Sequence, residues 1–151
     1  MSGVPGGLAL ELTCTLDAPR ERIFKALTDP GELAKWWGPS GFTTPEIEVD
    51  LRVGGGFRFG MQPPDGALFH LAGEYLEIEP PSRLAYTFRW EEPDPDDRET
   101  LVRLSLETAA ADLTELSLSQ GRFSTEARWA LHRDGWTDSF VRLSELIAPG
   151  T

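Results

Sequence analysis

A single cysteine, two histidines and a shortage of basic residues already narrow what this chain can be. Cys14 has no second cysteine to pair with, so no internal disulfide staples the fold, as expected of a protein from a reducing compartment. The 14 Lys and Arg residues face 25 Asp and Glu, for a net charge of −11. A nucleic-acid binder needs clustered cations to displace counterions from phosphates, and an anionic membrane surface attracts the same clusters. Neither nucleic acid nor membrane is therefore an expected partner. No apolar run approaches the roughly 18 residues of a membrane span. The opening Met-Ser-Gly-Val-Pro-Gly-Gly has no positive charge ahead of an apolar run, so it is not read as a signal peptide. A cytoplasmic location is expected, with the acidity serving solubility.

The chemistry-bearing motifs are equally sparse. Gly54-Gly55-Gly56 lacks the Lys-Ser/Thr ending of a phosphate loop and precedes a strand pattern, so it reads as a turn or bulge. His70 and His132 have no ligand-spaced neighbour in sequence, and no metal or cofactor is expected. No serine sits in a Gly-x-Ser-x-Gly context, so no nucleophilic triad is legible.

What is present is pattern. With 40% hydrophobic residues, 151 positions suffice for one domain with one core. Leu8, Leu10, Leu12, Cys14 and Leu16 share one parity, the period of a half-buried strand. Asp17-Ala18-Pro19 reads as a helix start with Asp17 as N-cap. Asp29-Pro30-Gly31-Glu32 reads as a capping box before Leu33, Trp36 and Trp37. From residue 45 to 122 the period is mostly two. The strands centre on Ile47, Val49 and Leu51; on Phe57, Phe59 and Met61; on Leu68 to Glu79; on Leu84 to Trp90; on Val102 to Leu106; and on Thr114 to Leu118. Pro63-Pro64-Asp65-Gly66 has turn chemistry. Arg58, Arg89, Arg103, Glu107 and Glu115 fall on the opposite parity to the apolar residues. One greasy and one polar face mark an antiparallel sheet covered on one side only. The cover is a helix after Ser124, its expected N-cap, with Trp129, His132, Trp136, Phe140, Leu143 and Ile147 on one face. The parity of His70 is ambiguous, because Glu74 shares it but so do Leu76 and Ile78, which implies a bulge near Tyr75.

Several stretches then resemble a known family. They are Asp17-Ala18-Pro19, Ile23-Phe24-Lys25-Ala26-Leu27-Thr28-Asp29-Pro30, Leu33-Ala34-Lys35-Trp36-Trp37, Gly54-Gly55-Gly56-Phe57-Arg58-Phe59, Gly73 to Leu84, and Gly135-Trp136. The chain resembles the activator of heat shock protein 90 ATPase homologue-like proteins of the START-like, birch-pollen-allergen-like superfamily. The resemblance implies an α+β helix-grip fold: a curved antiparallel sheet of about seven strands, two short helices after strand 1, and a long C-terminal helix. Residues 1–7 are then expected to be a flexible segment and residues 8–148 one START-like domain.

Function is expected in the concavity between sheet and helix, where superfamily relatives hold apolar ligands. The leading expectation is a small-molecule binding domain without cofactor, its apolar or aromatic ligand walled by Trp37, Phe59, Met61, Tyr75, Tyr86, Phe88, Trp129, His132 and Trp136. A second is a polyketide cyclase or aromatase, with Tyr86 or His132 moving protons. A third is a co-chaperone-like interaction module tied to stress response, as the family's name implies. A homodimer is left open. Gly135, costly in mid-helix, suggests close approach of a strand or ligand. The loop Glu91 to Glu99, with six acids and one Arg, is expected to be a solvated tip rather than a docking element.

Overall fold

The computed structural model describes residues 8–148; the expected flexible segment 1–7 lies outside the described residues. Strand β1 (Leu8–Leu16) is followed by helices α1 (Arg20–Thr28) and α2 (Pro30–Trp36). Six strands come next: β2 (Thr43–Val49), β3 (Gly56–Gln62), β4 (Phe69–Glu79), β5 (Arg83–Trp90), β6 (Thr100–Ala110) and β7 (Leu113–Phe123). Helix α3 (Glu126–Ile147) closes the fold. The seven strands form one antiparallel sheet in the order β1-β7-β6-β5-β4-β3-β2. Strands β2 to β7 follow one another as a meander, and β1 returns to the far side of β7. The architecture is α+β, as expected.

Alternation decides the faces. Along β7, Thr114, Leu116, Leu118 and Gln120 are buried while Glu115 is exposed and Ser117 and Ser119 are half-buried. The inward residues meet α3, whose buried stripe runs through His132, Trp136, Phe140, Leu143 and Ile147. Helices α1 and α2 add Ile23, Leu33 and Trp36 to the same core. Trp36 is fully buried because its indole N–H donates to the Ala26 carbonyl at 2.8 Å, so no polar atom is stranded.

Local details depart from the sequence-based expectations in four places. Asp17 does not cap α1; Pro19 occupies the N-cap position, and its carbonyl takes the amides of Arg22 and Ile23 at 3.0 and 3.2 Å. Asp29 does cap α2, accepting from the Glu32 amide at 3.1 Å, but the Glu32 carboxylate pairs with Arg22 at 2.8 Å. The cap of α3 is Thr125, which accepts from the Arg128 amide at 3.1 Å, because the Ser124 hydroxyl donates to the Asp96 carbonyl. Leu51 lies beyond the end of β2 and is exposed. Gly54 has φ +86°, a turn conformation that costs other residues more than glycine.

Candidate functional site

In the second half of α3, Phe140, Leu143 and Ile147 are buried in the core, whereas under its first half the groove between sheet and helix is open. The open end is a cavity of about 260 Å³ under the first half of α3. One wall comes from the stretch after α2. The Trp37 ring is edge-on to Phe59, with centroids 4.9 Å apart, and to Trp136 at 5.1 Å. The stretch is tied to α3 by three residues. The Gly38 amide donates to Ser139 Oγ at 3.0 Å, and the Ser40 amide to Asp138 Oδ2 at 3.2 Å. Arg142 donates to the carbonyls of Trp37 and Gly38, each at 3.1 Å. Positive φ at Gly38 makes this tight exit from the helix possible.

The opposite wall is an aromatic chain along the strand ends. Phe42 meets Phe69, Phe69 meets Trp90 at 5.3 Å, and Trp90 meets Phe88 at 5.2 Å. His132 closes this wall from α3. The Trp90 indole N–H donates to His132 Nε2 at 3.0 Å, and His132 Nδ1 lies 2.7 Å from the Arg128 carbonyl. An indole N–H only donates and a carbonyl only accepts, so the ring is neutral with its proton on Nδ1. Burial favours the same state by lowering the pKa of His132.

The lip is ionic. Arg128 reaches across to the loop after β5, pairing with Asp94 at 3.0 Å and Asp97 at 3.2 Å. The Asp94 amide donates to Asp97 Oδ2 at 2.9 Å, which folds the loop on itself. The stretch Glu91–Glu99 is exposed at most positions, as expected of a solvated tip, but Asp94 and Asp97 anchor it through Arg128. It is latched to α3, and Glu92, Asp94 and Asp97 line the cavity mouth.

Of the residues expected to form the wall, Trp37, Met61, Phe88, His132 and Trp136 line this cavity. Phe59 lies behind Trp37. Tyr75 and Tyr86 pack on Phe57, at 5.4 and 5.0 Å, away from the cavity, and burial pushes both phenols up. Trp129 turns toward β1, donating to the Ala9 carbonyl at 3.0 Å with the Arg133 guanidinium over its ring. Inward parity holds along a whole strand, whereas the cavity occupies only one end of the groove. That is why parity selected too many residues. Gly135, expected to allow close approach, does line the cavity, whereas Phe42, Phe69, Ser139 and Arg128 were missed. Phe69 shares the parity of Leu71 and was findable; the latch on Arg128 has no local signal.

On the outer face the ambiguity at His70 resolves. The register shift lies between Tyr75 and Glu77, and His70 faces outward. Its Nδ1 is 2.9 Å from Glu92 and its Nε2 is 3.2 Å from Glu46. Arg58 alongside holds both oxygens of Glu91, at 2.8 and 3.0 Å. These partners come from neighbouring strands and the loop, where sequence spacing could not show them. His70, Glu91 and Glu92 are the described residues whose ligand atoms lie close enough, within 4.8 Å, to hold a metal ion.

The sheet gripping a long helix over a partly open concavity defines a START-like, helix-grip domain. The chain belongs to the family described as Activator of Hsp90 ATPase homolog 1-like protein, which matches residues 17–148. Among solved structures it is similar to protein CV1439 from Chromobacterium violaceum, with 29% identity, a TM-score of 0.86 and coverage of 94% of this chain and 98% of the other. Protein NE0264 from Nitrosomonas europaea is 28% identical with TM-score 0.77, covering 97% of each chain. The AHSA1 protein SPO3351 from Silicibacter pomeroyi is 26% identical with TM-score 0.80, covering 93% and 97%. No curated protein matches the chain. No described helix is long and apolar enough to cross a membrane.

Proposed function

We propose that this chain is a small-molecule binding domain whose ligand is an aromatic or compact apolar molecule held under the first half of α3. The observation that carries this reading is the aromatic cavity of about 260 Å³. A dry cavity of about 150 Å³ accepts one benzene ring, so this one has room for a two-ring molecule. Its walls combine aromatic faces with a few polar groups, the usual make-up of a ligand pocket. Acid–base catalysis finds less support. Both ring nitrogens of His132 are engaged, and Tyr86 lies off the cavity wall.

Gly135 offers a direct test. Gly135 lines the cavity, and a Cβ added there meets only Pro39 Cγ outside the helix's own backbone, at 3.8 Å, an ordinary contact. We expect 2-naphthalenemethanol to change the tryptophan fluorescence saturably. Gly135→Leu should weaken binding by at least about tenfold while the thermal midpoint stays level or rises, since Gly in a helix costs about 1 kcal/mol. No saturable response in the wild type, or equal binding by a folded Gly135→Leu variant, would end this reading.

A further inference from the structure

The charges around the mouth say more about the ligand, on the premise that the cavity is a binding site. We propose that the occupant is an organic ammonium: an apolar ring system in the cavity with a primary or quaternary amine at the lip.

Three carboxylates line the cavity, those of Glu92, Asp94 and Asp97, against two basic side chains, Arg128 and His132. Neither basic group is without a partner. Arg128 is already paired with Asp94 and Asp97, and His132 is neutral with one nitrogen donating and the other accepting. A ligand carboxylate or phosphate would enter a ring of acids and meet no unpaired cation among the described lining residues. A ligand ammonium meets the reverse situation. The Asp94 and Glu92 side chains are 65% and 52% exposed, so their carboxylates can take a further partner without burying a bare charge. Each oxygen accepts more than one hydrogen bond, so the existing pairs with Arg128 and His70 need not break.

The wall points the same way. Trp37, Trp90 and Trp136, with Phe42, Phe69 and Phe88, surround the space behind the lip. Aromatic faces carry negative potential and attract ammonium groups, and rings with nearby carboxylates form the cages that hold methylated amines. A net charge of −11 adds long-range attraction for a cation during encounter. Apolar burial sets where the ring goes; the lip sets the sign of what hangs from it.

The test uses three naphthalene probes that differ in one group: 2-naphthylmethylamine, charged at neutral pH, 2-naphthalenemethanol, and 2-naphthoate. Titrations of the full chain at low salt should give the amine about tenfold tighter binding than the alcohol, with the carboxylate weakest. Raising the ionic strength should shrink the gap. The double variant Glu92→Gln, Asp94→Asn leaves Asp97 to hold the loop. It should bring amine and alcohol to within about twofold of each other. Equal binding of amine and alcohol, or tightest binding of naphthoate, overturns the ammonium assignment and leaves the cavity reading standing. Failure of all three probes removes both.

Discussion

The two faces of the sheet solve the same problem, what to do with polar groups, in opposite ways. Inside, buried polar side chains are satisfied by specific partners in the protein. Thr114 donates to the Ala18 carbonyl at 2.6 Å, and Trp136 donates to Gln120, which donates to Thr100, at 2.7 and 2.8 Å. No buried side-chain nitrogen or oxygen among the described residues lacks a hydrogen-bond partner. Outside, Arg58, His70, Glu46, Glu91 and Glu92 form ion pairs that water can replace. An unpaired polar group costs most where water cannot reach it. The interior is therefore where substitution should hurt, and the exterior is where pH should act.

One step along β7 gives the sharpest contrast. Leu116 is fully buried against the core and Ser117, the next residue, points out. Leu116→Ala should lower unfolding free energy by about 2–5 kcal/mol, through lost burial and the cavity left behind. Ser117→Ala should stay within about 0.5 kcal/mol. Paired urea titrations of the two variants decide this. Similar midpoints would mean that the sheet does not have the two faces described.

Gln120 comes next in size. It is fully buried and links α3, through Trp136, to β6, through Thr100. Gln120→Ala strands the Trp136 indole N–H and leaves a void, for an expected loss of about 1–3 kcal/mol. The Trp136 indole proton should also shift and exchange faster in NMR spectra. A variant as stable as the wild type, with that proton unmoved, would show that the interior bond contributes nothing.

These contrasts also mark what could be read from the sequence. Parity placed the strands and identified Leu116, Leu118, Leu104 and Val102 as inward, because alternation is a local property of the chain. It also sent Phe59, Tyr75 and Tyr86 inward, correctly. Whether an inward residue meets a void or a neighbour depends on where α3 crosses the sheet, and no local pattern encodes that crossing. The ionic lip was hidden for a related reason. Asp94 and Asp97 look like a solvated acidic run until Arg128, some 30 residues on, is folded against them. The same holds for His70, whose partners lie 22 and 24 residues away.

The two histidines carry the comparison into pH, and with opposite sign. His132, in the interior, has its pKa lowered chiefly by burial, and His70, on the outer face, has its pKa raised chiefly by its hydrogen bond to Glu92. Both ring nitrogens of His70 face carboxylate oxygens, an arrangement that only the doubly protonated ring satisfies. Its contribution to stability is therefore complete below the unfolded value of 6.5 and is lost as pH rises through its higher folded value. Glu92, lowered by the same contact, contributes above 4.5 and loses its part as pH falls through its depressed value. The His132 effect runs the other way: as pH drops below 6.5 the unfolded chain takes up a proton that the buried ring resists, and stability falls. Ring-proton NMR should accordingly show His70 titrating above 6.5 and His132 below it. Glu92→Gln should move His70 back toward the ordinary value and leave His132 where it was, with little change in unfolding free energy because the pair is at the surface. If the two rings titrate together, or if Glu92→Gln shifts His132 as much as His70, the interior and exterior environments are not the distinct ones that the hydrogen bonds describe.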